Sequence, residues 1–152
     1  MEAIIQRLPP TDERVAWNTP AAINERLRRD LEESISSYAG ASREALTARI
    51  HALNREWDIE RVLETNAGII ILTSLFLGTR RDRRWLALLG LAGWFLIQHA
   101  IQGWCPPVSL FRRLNVRTRA EIEEEKTALR ILRGDFTATS DPNSALAQAR
   151  NK

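Results

Sequence analysis

The chain has 152 residues, a net charge of +3 and an apolar fraction of 44%, values that also fit a small soluble protein. Its single cysteine, Cys105, excludes an intrachain disulfide and a cysteine-based zinc site. The charges are segregated, because they occupy residues 1–61 and 112–152 while the stretch between is mostly apolar. The distribution of charged residues along the chain therefore says more about the fold than the overall composition does.

Residues 1–18 contain Pro9 and Pro10 without a sustained apolar period, which predicts an irregular leader. A basic start followed by a long apolar core is absent, so no cleavable signal peptide is expected. Thr19 and Pro20 then signal a helix start. Apolar residues recur every four positions, at Ile23, Leu27, Leu31 and Ile35. This stripe predicts an amphipathic helix that ends near Gly40.

A second helix is expected after Ser42, a candidate cap. Its apolar residues follow spacings of four, three and four, at Leu46, Ile50, Leu53 and Trp57. The short link at residues 38–41 favours an antiparallel amphipathic pair over residues 19–61. The same stripes would also suit a membrane surface or a dimer contact.

Two uncharged stretches follow, at residues 65–79 and 85–104, separated by a basic turn. They hold about 15 and 20 residues, and a bilayer core takes roughly 20. Counting from Val62 extends the first to about 18, because Glu64 is tolerable at the interface. The sequence predicts a transmembrane hairpin over residues 62–104, with a soluble bundle that buries both helices as the alternative.

Small residues in the hairpin predict close helix packing, since lipid offers no hydrophobic drive between helices. The expected helix contacts are at Gly68, Gly78, Gly90, Gly93 and Gly103. Trp85 and Trp104 lie where aromatic belts occur in membrane proteins.

Arginines around the spans are expected to contact lipid phosphate. These are Arg80, Arg81, Arg83 and Arg84 in the turn, and Arg112, Arg113, Arg117 and Arg119 after the second span. With the three arginines that precede the first span, the flanks carry seven against four in the turn. This count favours both termini in the cytoplasm, with a shallow or re-entrant hairpin as the alternative.

Residues 105–136 are predicted to form an interfacial segment and a C-terminal helix. Pro106 and Pro107 end the second span, and an apolar patch follows at Leu110, Phe111 and Leu114. Thr118 and Glu121 have the spacing of a capping box, which opens a helix that runs to Gly134. Residues 137–152 are predicted to be a disordered tail.

Two side chains invite a chemical hypothesis. Cys105 would accept sulfur or be oxidised if nearby arginines activated its thiol, although a cysteine before proline is often a packing residue. His99 lies within the second span, where haem ligation or proton transfer is one interpretation and interfacial hydrogen bonding the simpler one. The sequence shows no nucleophile–base–orienter set and no glycine-rich phosphate loop, so we predict no enzyme activity, cofactor or metal site.

Several short motifs follow one another in a fixed order along the hairpin. They are Asn66-Ala67-Gly68, the basic turn after Gly78, the exit Gly103-Trp104-Cys105-Pro106, and then Leu110, Leu114 and Thr118. This order resembles the YgaP-like inner-membrane transmembrane domain, a small two-span bacterial domain of unknown function, over roughly residues 56–118. In the rhodanese that carries this domain, the sulfurtransferase site lies in a separate soluble domain and the hairpin supports dimerisation. The resemblance implies the membrane hairpin without the enzyme.

We therefore predict an all-α protein with a membrane-embedded two-helix hairpin flanked by amphipathic cytoplasmic helices. The first hypothesis is a non-enzymatic bacterial inner-membrane protein that contacts lipids and forms a homodimer or joins a larger membrane complex. The alternatives are a sulfur-relay or redox accessory that uses Cys105, and a soluble helical adaptor. We expect no nucleic-acid partner and identify no small-molecule substrate.

Overall fold

A computed structural model describes residues 8–139 and 141–150, and all regular structure in these ranges is helical. The described helices are α1 (Arg14–Trp17), α2 (Ala21–Ser37), α3 (Arg43–Leu53), α4 (Ile59–Arg80), α5 (Trp85–Gln102), α6 (Pro106–Arg113), α7 (Arg119–Arg133) and α8 (Pro142–Arg150). The chain divides into two compact units, called the hairpin unit (Met1–Arg28 and Trp57–Ala120) and the peripheral unit (Arg29–Glu56 and Glu121–Lys152). The predicted all-α class is confirmed.

The predicted hairpin is present as helices α4 and α5, of 22 and 18 residues, which pack along each other. Asp58 caps the start of α4 by accepting a hydrogen bond from the Arg61 amide, and Gly103 ends α5 in the left-handed conformation at φ 76°. Both helices are long and apolar enough to cross a membrane. Only 17% of the most apolar stretch of α4 and 6% of that of α5 is buried. A soluble bundle would bury these faces, so that alternative does not fit.

An apolar cluster lies at the base of the hairpin unit. Its buried members are Val15, Ile59, Leu63, Cys105 and Val108. Asn18 holds the N-terminal segment in place by donating from its amide to the Gln102 carbonyl at 2.7 Å.

The prediction of an irregular leader is therefore wrong at α1, because Val15 is buried in this cluster and fixes the segment. Residues 1–7 of that leader lie outside the described residues.

The peripheral unit buries the stripe of α3 together with residues of α7. The buried set is Leu46, Ile50, Leu53, Ile122 and Leu129. Ser42 caps α3 as predicted, accepting from the Ala45 amide at 3.2 Å. Trp57, predicted as the last member of the α3 stripe, lies beyond the end of that helix and is 49% exposed.

The C-terminal helices follow the predicted pattern only in part. Helix α7 begins directly after Thr118 and ends before Gly134, which has φ 79°. Helix α8 occupies most of the segment predicted to be a disordered tail, and Asp141 caps it by accepting from the Ser144 amide at 2.9 Å. The tail prediction is corrected at this helix; residues 140, 151 and 152 lie outside the described part of the chain.

Candidate functional site

Three ionisable side chains from α1, α4 and α5 form a chain at the base of the hairpin. A guanidinium nitrogen of Arg14 lies 2.8 Å from Glu60 Oε1, and Glu60 Oε2 lies 2.7 Å from His99 Nε2. His99 is 3% exposed, and a polar ring in such a place needs a partner. The Glu60 carboxylate is that partner, and it fixes the orientation of the imidazole ring.

The second imidazole nitrogen is in a different situation. His99 Nδ1 is buried and has no hydrogen-bond partner within the described residues. Because the Glu60 carboxylate accepts a hydrogen bond from Nε2, the imidazole ring carries a proton on that nitrogen. The ring is thus anchored by Glu60 through Nε2, and Nδ1 is enclosed by the protein.

An apolar pocket of about 250 Å³ lies beside this ring, between α4, α5 and the start of α6. Its polar lining comes from three side chains, Asn66, His99 and Cys105. The rest is apolar and includes Ile70, Leu91 and Phe95. A few polar groups in a mostly apolar concavity are typical of small-molecule sites.

Cys105 opens α6 and lines the same pocket as His99, although its thiol belongs to the apolar cluster and the residue is only 5% exposed. The structure thus brings a thiol, an imidazole and a carboxylate into one region, which the sequence analysis treats as separate. Thiol nucleophiles need access and an electropositive setting. Burial among aliphatic side chains gives Cys105 the environment of a packing residue.

Within the described ranges 8–139 and 141–150, no group of three histidine, cysteine, aspartate or glutamate side chains is placed so that it could hold a metal ion.

The five predicted glycine contacts divide into two groups. A Cβ atom at Gly78 would lie 2.6 Å from the Leu86 side chain, and one at Gly103 would lie 2.4 Å from the Arg14 backbone. Gly78 therefore allows the hairpin to close, whereas Gly103 allows α1 to approach. Cβ atoms at Gly68, Gly90 and Gly93 would meet no atom within 4 Å, so these glycines make no such contact within the chain.

The eight arginines predicted to contact lipid phosphate differ in exposure. Those of the turn are exposed, as are Arg113 and Arg119, and Arg117 is half-buried. Arg112 is fully buried, which contradicts its predicted lipid contact. It donates to Asn24 Oδ1 at 3.1 Å and to the Val116 carbonyl at 3.3 Å, because it shares the inner face of α6 with Val108.

The peripheral unit holds its own buried charge. Glu125 is completely buried on α7, where it accepts from the Arg49 guanidinium at 2.8 Å and from the Ser34 hydroxyl at 2.7 Å. Nearby, a hydrogen bond from Arg133 holds the pKa of Asp135 below its ordinary value of 3.8, with help from the charges of Arg133 and Arg130. The Glu125 contacts have a structural role, since they join α2 and α3 to α7.

Sequence reasoning missed Arg14, Glu60 and Glu125. Arg14 lies in the segment predicted to be irregular, and Glu60 and Glu125 lie in charge-rich stretches typical of solvated faces. A signal existed only for Glu60, since a histidine in an apolar span calls for a partner at the same membrane depth.

Two long apolar helices with outward-facing leucines, isoleucines and tryptophans, joined by an arginine-rich turn, define a two-span helical membrane protein. Residues 58–120 match the family model of the transmembrane domain of YgaP-like inner membrane proteins. This match over residues 58–120 agrees with the resemblance seen in the sequence pattern. Neither a curated protein nor a solved structure shows a significant match to the chain.

Proposed function

We propose that this protein is a non-enzymatic module of the bacterial inner membrane, which forms a homodimer or joins a larger membrane complex through its hairpin. Both termini lie in the cytoplasm in this proposal. The observation that carries it is an exposed seam on α5, formed by Gly90, Trp94, Ile97 and Ile101, which points away from the pocket.

The seam has the spacing of a packed helix interface. Its members follow intervals of four, three and four residues, the period of coiled-coil contacts. Gly90 leaves open space beside the bulky Trp94, so a second helix has room to approach closely. In lipid, association depends on such close packing.

The exposed arginines support the expected lipid contacts. The turn between α4 and α5 carries Arg80, Arg81, Arg83 and Arg84, all exposed, while Arg113 and Arg119 are exposed beyond the other end of the hairpin. Guanidinium groups at both membrane surfaces suit phosphate headgroups. The larger number of arginines on the flanks supports cytoplasmic termini.

The alternative function, sulfur relay or redox work by Cys105, gains little support from burial of the thiol. Replacement of Cys105 with serine tests it directly. Unchanged sulfur-dependent growth would remove this alternative. We do not propose the soluble helical adaptor, because residues 58–120 match a membrane domain.

Dimerisation through the seam is tested by cysteine cross-linking in native membranes, in a Cys105→Ala background. The Ile97→Cys variant places a thiol on the seam and should form a disulfide-linked dimer under mild oxidation. Leu91→Cys is the matched control, since Leu91 is also exposed on α5 but lines the pocket. Equal cross-linking at both positions, or none at Ile97, would contradict the proposed interface.

A second variant measures the role of the glycine. Gly90→Leu fills the space that a neighbouring helix would occupy, and it should weaken self-association by about tenfold, or ~1.4 kcal/mol. Förster transfer between labelled copies in bicelles measures this change. A larger hetero-complex instead of a homodimer would appear as cross-linking of Ile97→Cys to a protein of different mass.

A further inference from the structure

Helix α6 crosses the base of the hairpin. It begins at Pro106, shortly after the end of α5, and the chain that leaves its other end is held at the start of α4. There the Arg117 carbonyl accepts a hydrogen bond from the Ile59 amide at 2.9 Å, and Ile59 is the first residue of α4. Both ends of α6 are therefore fixed beside the base ends of the two spanning helices, at one depth.

Helix α1 lies at the same depth. Asn18, directly after α1, donates from its side-chain amide to the Gln102 carbonyl at 2.7 Å, and the Arg14 backbone lies against Gly103. Gln102 and Gly103 are the last residue and the cap of α5. A segment far from the hairpin in sequence is thus held against the end of its second helix.

Three tryptophans from separate segments are exposed at this depth. Trp17 ends α1 and is 65% exposed, Trp57 comes directly before the cap of α4 and is 49% exposed, and Trp104 follows α5 and is 38% exposed. The Arg61 guanidinium lies over the Trp57 ring at 5.0 Å, and the Trp104 ring packs edge-on against Phe95. Exposed aromatic side chains grouped in this way mark a contact surface.

Helix α6 adds an apolar face to this region. Val108 and Arg112 are completely buried, and Arg112 donates to Asn24 at 3.1 Å, so other parts of the unit cover that side of the helix. Leu110 and Leu114 lie on the opposite side and are 57% and 64% exposed. A helix that crosses the end of a membrane hairpin with leucines outward has the pattern of an interfacial helix.

The length of the hairpin identifies what meets these side chains. At 1.5 Å per residue, the 18 residues of α5 extend about 27 Å, close to the roughly 30 Å of a bilayer core. Ile101, in the last turn of α5, is 49% exposed, so the lipid-facing surface continues to Trp104. The base therefore lies at the depth of the headgroups, where indole rings are enriched because they join an apolar body to an N–H donor.

We propose that Trp17, Trp57 and Trp104, with Leu110 and Leu114, form a base collar that lies in the headgroup region of one leaflet. The partner is the phospholipid at the boundary between headgroups and acyl chains. Helix α1 thereby contacts the membrane, although its sequence has no span. The inference rests on the membrane insertion in the proposed function, but it requires neither dimerisation nor cytoplasmic termini.

Fluorine NMR of the full chain measures the depth of each ring. Labelling with fluorotryptophan gives one resonance for each of the five tryptophans, and single Trp→Phe variants assign them. The protein is placed in phosphatidylcholine nanodiscs with one of three broadening agents. These are a lipid with a spin label at the headgroup, a lipid with the label near the end of the acyl chain, and a water-soluble gadolinium chelate. Trp94, midway along α5 and 63% exposed, is the reference for the bilayer centre.

We expect the headgroup label to broaden Trp17, Trp57 and Trp104 several-fold more than the chain-end label does, with the opposite order at Trp94. Trp17 and Trp57 broadened mainly by the gadolinium chelate would overturn the proposal, because the base would then lie in water. Rings that respond to none of the agents would be covered by protein, which would overturn it as well. If the chain-end label leaves Trp94 unchanged, the hairpin is not inserted and the proposed function fails too.

A polarity-sensitive dye tests the α6 side of the collar. Leu114→Cys in a Cys105→Ala background carries the dye, and Thr127→Cys, exposed on α7, is the matched control. In nanodiscs, the dye at residue 114 should emit at a shorter wavelength and be quenched several-fold less by iodide than the dye at residue 127. Equal emission and equal quenching at the two positions would contradict lipid contact by α6.

Discussion

The two units of this protein place apolar residues in opposite ways. In the hairpin unit, Leu72, Trp94 and Ile97 are between 57% and 68% exposed, while His99 is almost completely buried. In the peripheral unit, Leu53 and Leu129 are almost completely buried, and many exposed positions are charged, although Ile131 and Leu132 are exposed as well. The positions of the apolar residues therefore fit different surroundings, with lipid around the hairpin unit and water around the peripheral unit.

This difference predicts unequal effects of leucine truncation. Leu129→Ala removes a fully buried side chain from the peripheral core and should cost about 3 kcal/mol. Leu72→Ala, on the lipid-facing side of α4, should cost less than about 1 kcal/mol, because lipid tails are as apolar as leucine. Thermal unfolding in nanodiscs, followed by circular dichroism, measures both. Similar losses would mean that the α4 face is covered by protein.

Two adjacent arginines sharpen the comparison within the hairpin unit. Arg112→Ala removes a fully buried guanidinium and its bonds to Asn24 and Val116, and should cost about 3 kcal/mol. Arg113→Ala, at an exposed position, should leave stability in phosphatidylcholine nanodiscs unchanged and reduce the stabilisation by anionic lipid by ~1 kcal/mol. Unfolding in nanodiscs with and without anionic lipid separates the two effects. Equal stability losses would contradict the different roles assigned to these neighbours.

One glycine in each unit has a left-handed backbone conformation, so the effects of alanine at the two positions can be compared. Gly103 and Gly134 have φ values of 76° and 79°, so alanine is strained at both, by roughly 1 kcal/mol. At Gly103 a Cβ would also meet the Arg14 backbone at 2.4 Å, whereas at Gly134 there is open space. Gly103→Ala should therefore cost about 2 kcal/mol, and Gly134→Ala about half of that. Equal decreases in the melting temperature of the two variants would show that α1 does not pack at Gly103.

The smallest expected effect is the pH dependence of the peripheral unit. The hydrogen bond from Arg133 holds the pKa of Asp135 below 3.8, so the carboxylate contributes stability above that value and loses it as pH falls through the lower, folded-state pKa. The contribution should be below about 1 kcal/mol. Asp135→Asn should flatten the acid limb of the stability curve between pH 5 and 2 by roughly this amount. An unchanged limb would contradict the assignment.

Local patterns in the sequence predicted much of the fold. Ser42 and Thr118 mark helix starts that the structure has, and the two apolar runs predict both helices of the hairpin, although α4 begins at Ile59 rather than at Val62 and α5 ends at Gln102 rather than at Trp104. Such features depend on neighbours a few positions apart.

Contacts between distant residues were not predictable in this way. Arg14 and Glu60 are 46 positions apart, and Glu60 and His99 are 39 apart, so no local period connects them. Arg112 and Arg113 are identical in sequence terms and differ only because the fold turns one inwards. The pocket has the same origin, since its walls come from three separate helices.

The hairpin is proposed to span the membrane with both termini in the cytoplasm. Its most direct test is labelling of spheroplasts with a membrane-impermeant maleimide, after a carbonate wash has shown that the protein stays in the membrane. In a Cys105→Ala background, we expect Arg83→Cys, in the turn, to label from outside, and Thr127→Cys, exposed on α7, to label only after lysis. Release by carbonate, or labelling of Arg83→Cys only after lysis, would contradict the claim.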